Sequence, residues 1–518
     1  MSYQEKELPE ASSVVLLTID GWDCNWRQHK LFSRVETPNL EELLSSYPAA
    51  AFNISDKKES RKDRMDLAEK GYYALGTGAE MYSARDFIDR SIRDKTFFHN
   101  KALVGAMDNA RKNNSQLHLL GLASDAEKYS SLNHLKNLLK MARQNKLNKV
   151  YLHIILDGRD TAPDKGIEFI KKIKKYIQQF GVGEIATIHG SFYAMDRNNN
   201  WERVAKSYRT LTGVDGKTGQ DPEEVIRENY NKEIYDKEIP PTIITDHGDP
   251  KAKIQESDSV IFFNIGGDRS RELTKAFVMS GWGKIPDRKY IKDLYFVCFT
   301  EYEKHLPIKI AFPKTGSPAC LSEKLDNEGC PHLKISGVEK YPHWNYFFNG
   351  ERSYQFSFEE RELIAPEEEG GIWEEKKEAT RETAEKVIRY IKQGQYRFLA
   401  ANLGNFDSFK LITGKKDRER IIKYIEEIDF YIKKIYKMAR NKDAFLFITS
   451  ASNLAAGKKA AAPVPLVAVH KKIEGKALWP QSLSQDLRVK GISGDLKDIK
   501  EIILNVLVKN KDSLSDEK

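Results

Sequence analysis

Cysteine is scarce, with four in 518 residues. Cys24, Cys298, Cys320 and Cys330 lie far apart with no Cys-x-x-Cys spacing. That pattern excludes a disulfide framework and a cysteine-built zinc site, and it fits reduced thiols in a cytoplasmic protein. Long apolar runs are also missing. The run Ala460–Val469 falls well short of the roughly 20 residues a membrane span needs, so no transmembrane segment is expected. The first residues, MSYQEKELPEASS, lack the charged-then-apolar order of a signal peptide. Blocks of one charge sign are absent too. The net charge is +8, but basic residues alternate with acids, as in Asp56–Arg64 (DKKESRKDR) and Gly414–Arg420 (GKKDRER). Interleaved charge of this kind is a solvated surface. A basic stripe with exposed aromatics is not seen, so nucleic acid is not an expected partner. Histidine thins out as well: beyond His343 there is a single one, His470.

What is present reads as a globular chain, 40% apolar and 31% charged, long enough for two or more domains. Apolar β-like runs occur at Val14–Ile19, Gln116–Leu120, Lys149–Ile155, Glu184–His189, Val260–Asn264, Tyr295–Phe299, Phe398–Asn402, Ala444–Thr449 and Leu466–Val469. Amphipathic helical patterns separate them, most clearly Glu419–Arg440, where Ile422, Ile425, Ile428, Ile432 and Ile435 recur at helical spacing. Alternation of this type predicts an α/β protein with parallel or mixed sheets covered on both faces. The first run, Val14–Trp22 (VVLLTIDGW), ends in Asp20-Gly21. In such sheets ligands bind beyond the carboxyl ends of the strands, so Asp20 stands where a metal or substrate group would sit. A plain Asp-Gly turn is the alternative. Leu75–Gly78 (LGTG) and Phe312–Pro318 (FPKTGSP) have hinge composition. They divide the chain into a discontinuous domain, 1–78 with 312–510, an inserted domain, 79–311, and a disordered tail, 511–518.

Several motifs then occur in order: IDGW at the first strand, Thr37-Pro38-Asn39, LGTG, Asp157–Pro163 (DGRDTAP), Tyr193–Arg197 (YAMDR), Asp268–Glu272 (DRSRE), Glu339–Tyr341 (EKY), Phe347–Gly350 (FFNG) and Pro463–Leu466 (PVPL). With these the chain resembles the cofactor-independent phosphoglycerate mutases over nearly its whole length. The resemblance implies an alkaline-phosphatase-like domain holding two divalent metals, commonly manganese, and an inserted domain that binds the phosphoglycerate. It implies a serine that takes the phosphoryl group from 3-phosphoglycerate and returns it to the 2-position. Two cations would neutralise the phosphoryl oxygens and help generate the nucleophile.

Residue by residue, the resemblance is uneven. Asp20 matches a metal ligand, and Asp23 replaces the family's glycine. Counting back from Gly76 places Ala68 at the nucleophile position, with Ser60 and Thr77 the nearest serine and threonine in the chain. Asp407 matches a second ligand. Leu411, Ala451, Ser452 and Lys459 stand at the family's remaining ligand positions. The resemblance implies three histidines in this region, and with His470 as the single one beyond His343 no shift of register restores them. Lys459 is the expected counter-charge for Asp20 and Asp407. Thr245–Gly248 (TDHG) resembles the lost Asp-His pair but reads as a surface turn. In the inserted domain Arg159, Asp160, Arg197 and Arg269 match substrate residues, as does Lys340 in the other domain. A family histidine falls on Tyr129, and two family arginines fall on Ser191 and Gly266.

The expectation from these positions is a catalytically inactive member of the family. It would need no cofactor and would act as a scaffold for an unknown protein partner or as a binder of a phosphorylated small molecule. The alternatives are an active mutase or phosphatase with an altered site, and a nucleic-acid or membrane-surface binder relying on the positive charge.

Overall fold

A computed structural model describes residues 11–28, 32–54, 67–314, 316–365, 372–406, 409, 415–454, 462–476, 478 and 493–512. The chain forms two compact units, 1–81 with 316–518, and 82–315. Each is built on one large mixed sheet.

In the discontinuous unit the strand order is Glu359–Ile364, His332–Gly337, Phe398–Asn405, Ser13–Asp20, Ala444–Thr449, Val464–Val469, Ala49–Asn53, Gly494–Asp495. Val464–Val469 runs antiparallel to both of its neighbours, and the other pairings are parallel. Central parallel strands are buried on both faces and so read as unbroken apolar runs. Ser13–Asp20 shows this: Val15, Leu17 and Ile19 enter one apolar cluster, Val14 and Leu16 the opposite one. The long helix Lys415–Asn441 covers the first face through Ile421, Ile425, Ile428, Ile432 and Ile435. Leu67–Thr77 and Ile499–Asp512 cover the second face. Leu75–Gly78 is not a linker: its first three residues close the helix Leu67–Thr77 and are buried. Gly76 packs so close to Phe348 that a Cβ would fall 1.9 Å from its carbonyl oxygen, and Gly78 follows the helix end at a φ of +71°.

The strands His332–Gly337 and Glu359–Ile364 carry a buried ion pair. Lys334 Nζ lies 2.7 Å from Glu359 Oε1 and donates to Asn349 Oδ1 at 2.5 Å. Glu359 also accepts from Arg361 Nε at 3.0 Å and from Phe356 N at 3.1 Å. Burial pushes the Lys334 ammonium down to about 8. Burial alone would raise Glu359, but Lys334 and Arg361 outweigh it and hold the carboxyl at about 2.

In the second unit the order is Lys309–Ile310, Tyr295–Cys298, Ser259–Phe262, Leu117–Ala123, Val150–Leu156, Glu184–Gly190, Thr242–Asp246, Lys217–Gly219. The first six are mutually parallel, and Thr242–Asp246 reverses against Glu184–Gly190. Through the core runs a hydrogen-bonded chain of fully buried polar side chains. Asp258 Oδ2 meets His118 Nε2 at 3.1 Å, and His118 Nδ1 meets His153 Nε2 at 2.9 Å. His153 Nδ1 meets Thr187 Oγ1 at 2.8 Å, and Thr187 Oγ1 meets His189 Nε2 at 2.8 Å. Burial pushes His153 well below the usual histidine range and His189 down to about 3, so both are neutral. The Asp258 carboxylate can only accept, so with a neutral imidazole at His118 each histidine in turn carries its proton on Nε2. The chain then ends on His189 Nδ1, which has no partner among the described residues.

The Lys334–Glu359 pair generates a stability prediction. Lys334→Met should lower stability by about 3 kcal/mol, since it leaves a buried carboxylate with Arg361 as its remaining cation. Because Glu359 is held at about 2 against its ordinary 4.5, its contribution is present above pH 4.5 and is lost as pH falls through 2. Denaturant melts of wild type and variant across that acid range would converge.

Candidate functional site

Asp20 ends its strand with no exposed surface. Three segments converge on its carboxylate, and a fourth braces them through Thr18 and Tyr72. Ala451 N donates to Oδ1 at 3.2 Å. Tyr72 Oη donates to Oδ2 at 3.1 Å and lies 2.9 Å from Thr18 Oγ1. Asn402 Nδ2, from the neighbouring strand, donates to Thr18 Oγ1 at 3.1 Å and to Tyr72 Oη at 3.3 Å. Lys340 Nζ forms an ion pair with Oδ2 at 3.0 Å, both side chains being buried. The turn that follows His332–Gly337 delivers Lys340, with Lys340 N donating to Gly337 O at 3.1 Å. Burial, then the charge of Asp20, push the Tyr72 phenol well above its usual range.

The positions singled out in the sequence meet here in part. Ala68 lies one helical turn before Tyr72, buried in a cluster that includes Ala451. Helix Leu67–Thr77 sits so close to the following loop that a Cβ on Gly71 would fall 1.9 Å from Ala451 O. Gly21 N donates to Ser452 O at 3.2 Å. Asp23, at the family's glycine position, accepts from Leu454 N at 2.8 Å and so fastens the same loop. Thr77 Oγ1 bonds back to Tyr73 O at 2.7 Å within its helix. Ser60, Asp407, Leu411 and Lys459 lie outside the described residues. Among the described residues, the cation on Asp20 is Lys340, and the expected Lys459 lies outside them. His470 pairs with Asp443 at 3.1 Å, beside the start of Ala444–Thr449. That is the end of the sheet opposite to Asp20, so this histidine is no donor to the site.

The second unit gathers its candidates where parallel strands end. Asp157 Oδ1 accepts from the backbone N of Arg159 at 3.2 Å and of Asp160 at 3.0 Å, and Oδ2 accepts from Ser124 Oγ at 2.6 Å. Burial raises the Asp157 carboxyl. Asp160 lies 3.5 Å from Lys128 Nζ, which sits 5.2 Å from the Tyr129 ring centre. Arg269 is buried and stacks over the same ring at 5.2 Å. Arg197 and Arg269 both approach Asp268 at 4.0 Å. Arg159 is exposed. Ser191 Oγ donates to Asp157 O at 2.8 Å. A Cβ on Gly266 would lie 2.6 Å from Tyr129 Cδ1, so the tyrosine ring fills the room a side chain at 266 would need. Thr245–Gly248 is a hairpin turn, with Asp246 paired to Asp249 and the His247 side chain 97% exposed.

Sequence reasoning passed over Tyr72, Lys128 and Asp268. Tyr72 was legible, since it lies four residues after Ala68 on one helix face. Asp268 stands inside DRSRE. Lys128 had no local signal.

Asp20 generates the next prediction. Lys340→Met leaves its buried carboxylate without the ammonium and should cost about 3–5 kcal/mol. Asp20→Asn on that background should recover part of the loss. A double-mutant cycle read by thermal melts checks this, and additive effects would deny the coupling.

The family described as BPG-independent PGAM N-terminus (iPGM_N) matches residues 88–304. The chain is 35% identical over 479 residues to a 2,3-bisphosphoglycerate-independent phosphoglycerate mutase of Clostridium perfringens, covering 90% of this chain and 93% of the relative. It is 34% identical over 440 residues to the protein of the same name from Moorella thermoacetica, covering 84% and 85%. A solved structure of Leishmania mexicana phosphoglycerate mutase aligns with 98% of this chain and 96% of its own at 20% identity and a TM-score of 0.49. These relatives correct two expectations. The inactive scaffold rested on a handful of positions, with Leu411 and Lys459 outside the described residues, whereas likeness to proteins named as mutases runs through 90% of the chain. The expectation of no cofactor falls with it, because close kinship to this family implies dependence on divalent metals. The chain belongs to the cofactor-independent phosphoglycerate mutase family.

Proposed function

We propose that the chain is a phosphoglycerate mutase with an altered site, interconverting 3- and 2-phosphoglycerate in the cytoplasm. The observation that carries this reading is identity of 35% over 90% of the chain to a protein of that name. The second unit supports it chemically. Arg197, Arg269 and the exposed Arg159 place guanidinium groups near one set of strand ends, suited to phosphate and carboxylate oxygens. Asp160 would accept a hydrogen bond from a glycerate hydroxyl. Its turn is held by Asp157, so its position is set before substrate arrives.

Asp20 is the described carboxylate at which a divalent metal would bind, and that metal would supply charge neutralisation for phosphoryl oxygens. The second carboxylate at a family ligand position, Asp407, lies outside the described residues. Asp20 already holds Lys340 and Tyr72, and no group of three or more His, Cys, Asp or Glu among the described residues could hold a metal. The acceptor oxygen is the second departure. Position 68 carries a methyl group, and the hydroxyl on Asp20 is that of Tyr72. No described helix is long and apolar enough to cross a membrane.

Turnover is tested by feeding purified protein 3-phosphoglycerate with manganese, magnesium or cobalt and measuring 2-phosphoglycerate. Formation that chelation abolishes is the expected outcome, with Arg269→Ala raising KM at least tenfold, as loss of a charge-assisted contact of about 1.5–3 kcal/mol requires. Binding of 3-phosphoglycerate without conversion under every metal would refute the reading. Loss of turnover with retained binding in Tyr72→Phe would identify the altered hydroxyl.

A further inference from the structure

The segments Tyr193–Arg197 and Asp268–Glu272 each contribute an arginine to the anion-binding neighbourhood, and each also carries a buried carboxyl. Asp196 directly precedes Arg197, and Glu272 follows Arg269 by three residues at the start of helix Arg271–Val278. Asp196 is 6% exposed and Glu272 1%. Asp196 Oδ1 accepts from the backbone N of Asn198 and of Asn200, both at 2.9 Å, and Oδ2 accepts from Arg203 Nη1 at 3.2 Å. Glu272 Oε1 accepts from Asn199 N at 3.0 Å. The two carboxyls therefore grip one short turn, 198–200, from two sides. Glu272 Oε2 is buried and receives no donor among the described residues, while the Asp196 carboxyl, bonded to the amides on either side of Asn199, is its neighbour across that turn. Two ionised carboxylates cannot bond to each other, because neither has a hydrogen to give. One proton between them satisfies Oε2 and removes the repulsion.

We propose that Glu272 and Asp196 share a proton, and that the shared proton clasps the Arg197-bearing segment to the Arg269-bearing segment. Its loss as pH rises through neutrality loosens the anion site. Glu272 is thus a positioning residue, acting through the two arginines. The identity of the anion rests on the phosphoglycerate reading, while the clasp does not. The charged groups around the pair are Arg203 from the helix Trp201–Leu211, Arg271 from the helix of Glu272 itself, and Arg197 and Asp268 at the segment ends. Burial first, and Asp196 beside it, push Glu272 from its ordinary 4.5 up to about 7, against the pull of the Asn199 amide and of Arg271. The sign follows from linkage. The contribution is whole below pH 4.5 and declines as pH climbs to 7, above which the pair bears two negative charges.

Hydrogen exchange of residues 195–200 and 268–273, corrected for the intrinsic pH dependence of exchange, tests the clasp without any ligand. Between pH 6 and pH 8 the wild type should lose protection about tenfold, following a group that titrates near 7. Glu272→Gln, which keeps a donor at the same place, should show a flat profile. If that variant does not fold, Asp196→Asn supplies the donor from the other side and should be equally flat. The same pH dependence in wild type and in the folded variant would overturn the proposal. Calorimetric affinity for 3-phosphoglycerate should weaken in step with protection in the wild type alone. Affinity that stays constant while protection falls would overturn the link to the anion site. Protection that behaves as stated with no binding of 3-phosphoglycerate at any pH would remove the phosphoglycerate reading and leave the clasp.

Discussion

The carboxylate of Asp20 has to be satisfied inside the protein, and the discontinuous unit is arranged around that requirement. A buried charge is costly unless it is paired and hydrogen-bonded. Asp20 meets the condition by drawing in segments far apart in sequence: the helix carrying Tyr72, the loop at Ala451, the strand of Asn402 through Thr18, and the turn of Lys340. None of these could move off without leaving a charge or a polar atom unpaired in the core. The group that defines the end of the first strand therefore also fixes the register of its neighbours.

The second unit follows the general rule that open α/β sheets bind ligands beyond the carboxyl ends of their strands. Its arginines come from loops, but the loops are held by buried polar anchors: Asp157 for the first, Asp196 for the second, Glu272 for the third. Such anchoring lets an irregular segment present guanidinium groups with little left to order on binding. The ring of Tyr129, held between Gly266 and Arg269, shows that this neighbourhood is packed to its own pattern and is not a family site with pieces removed.

The central strands were legible because burial on both faces leaves continuous apolar runs. Glu359–Ile364 (EERELI) was not, since it is an edge strand, and edges carry charge to avoid mispairing. His332–Gly337 was hidden for another reason: Lys334 in its middle looks like a surface residue until Glu359 is placed beside it. Ala49–Asn53 has too little β-branched or aromatic content to announce itself. In the site, Asp20 could be read from a strand running into Asp-Gly. Lys340 as its partner could not. The two meet only because His332–Gly337 lies two strands from Ser13–Asp20, a fact of strand order that local pattern does not contain. Counting positions against a family pattern named Ala68 and Ala451, but not that Gly71 lets their helix pack tightly on the loop of Ala451.

The chain from Asp258 to His189 behaves as a single binary element. With neutral imidazoles every donor in it points the same way, and one arrangement of protons is consistent with a carboxylate at the start. Place an amide at position 258 with its nitrogen toward His118, and the first imidazole must present its lone pair where it now presents hydrogen. The second, the threonine hydroxyl and the third must then reverse in turn. A change of one atom at the beginning of the Ser259–Phe262 strand, where the Gln255 amide must also give up its acceptor, is thereby written out again at the far end of Glu184–Gly190, three strands away in the sheet.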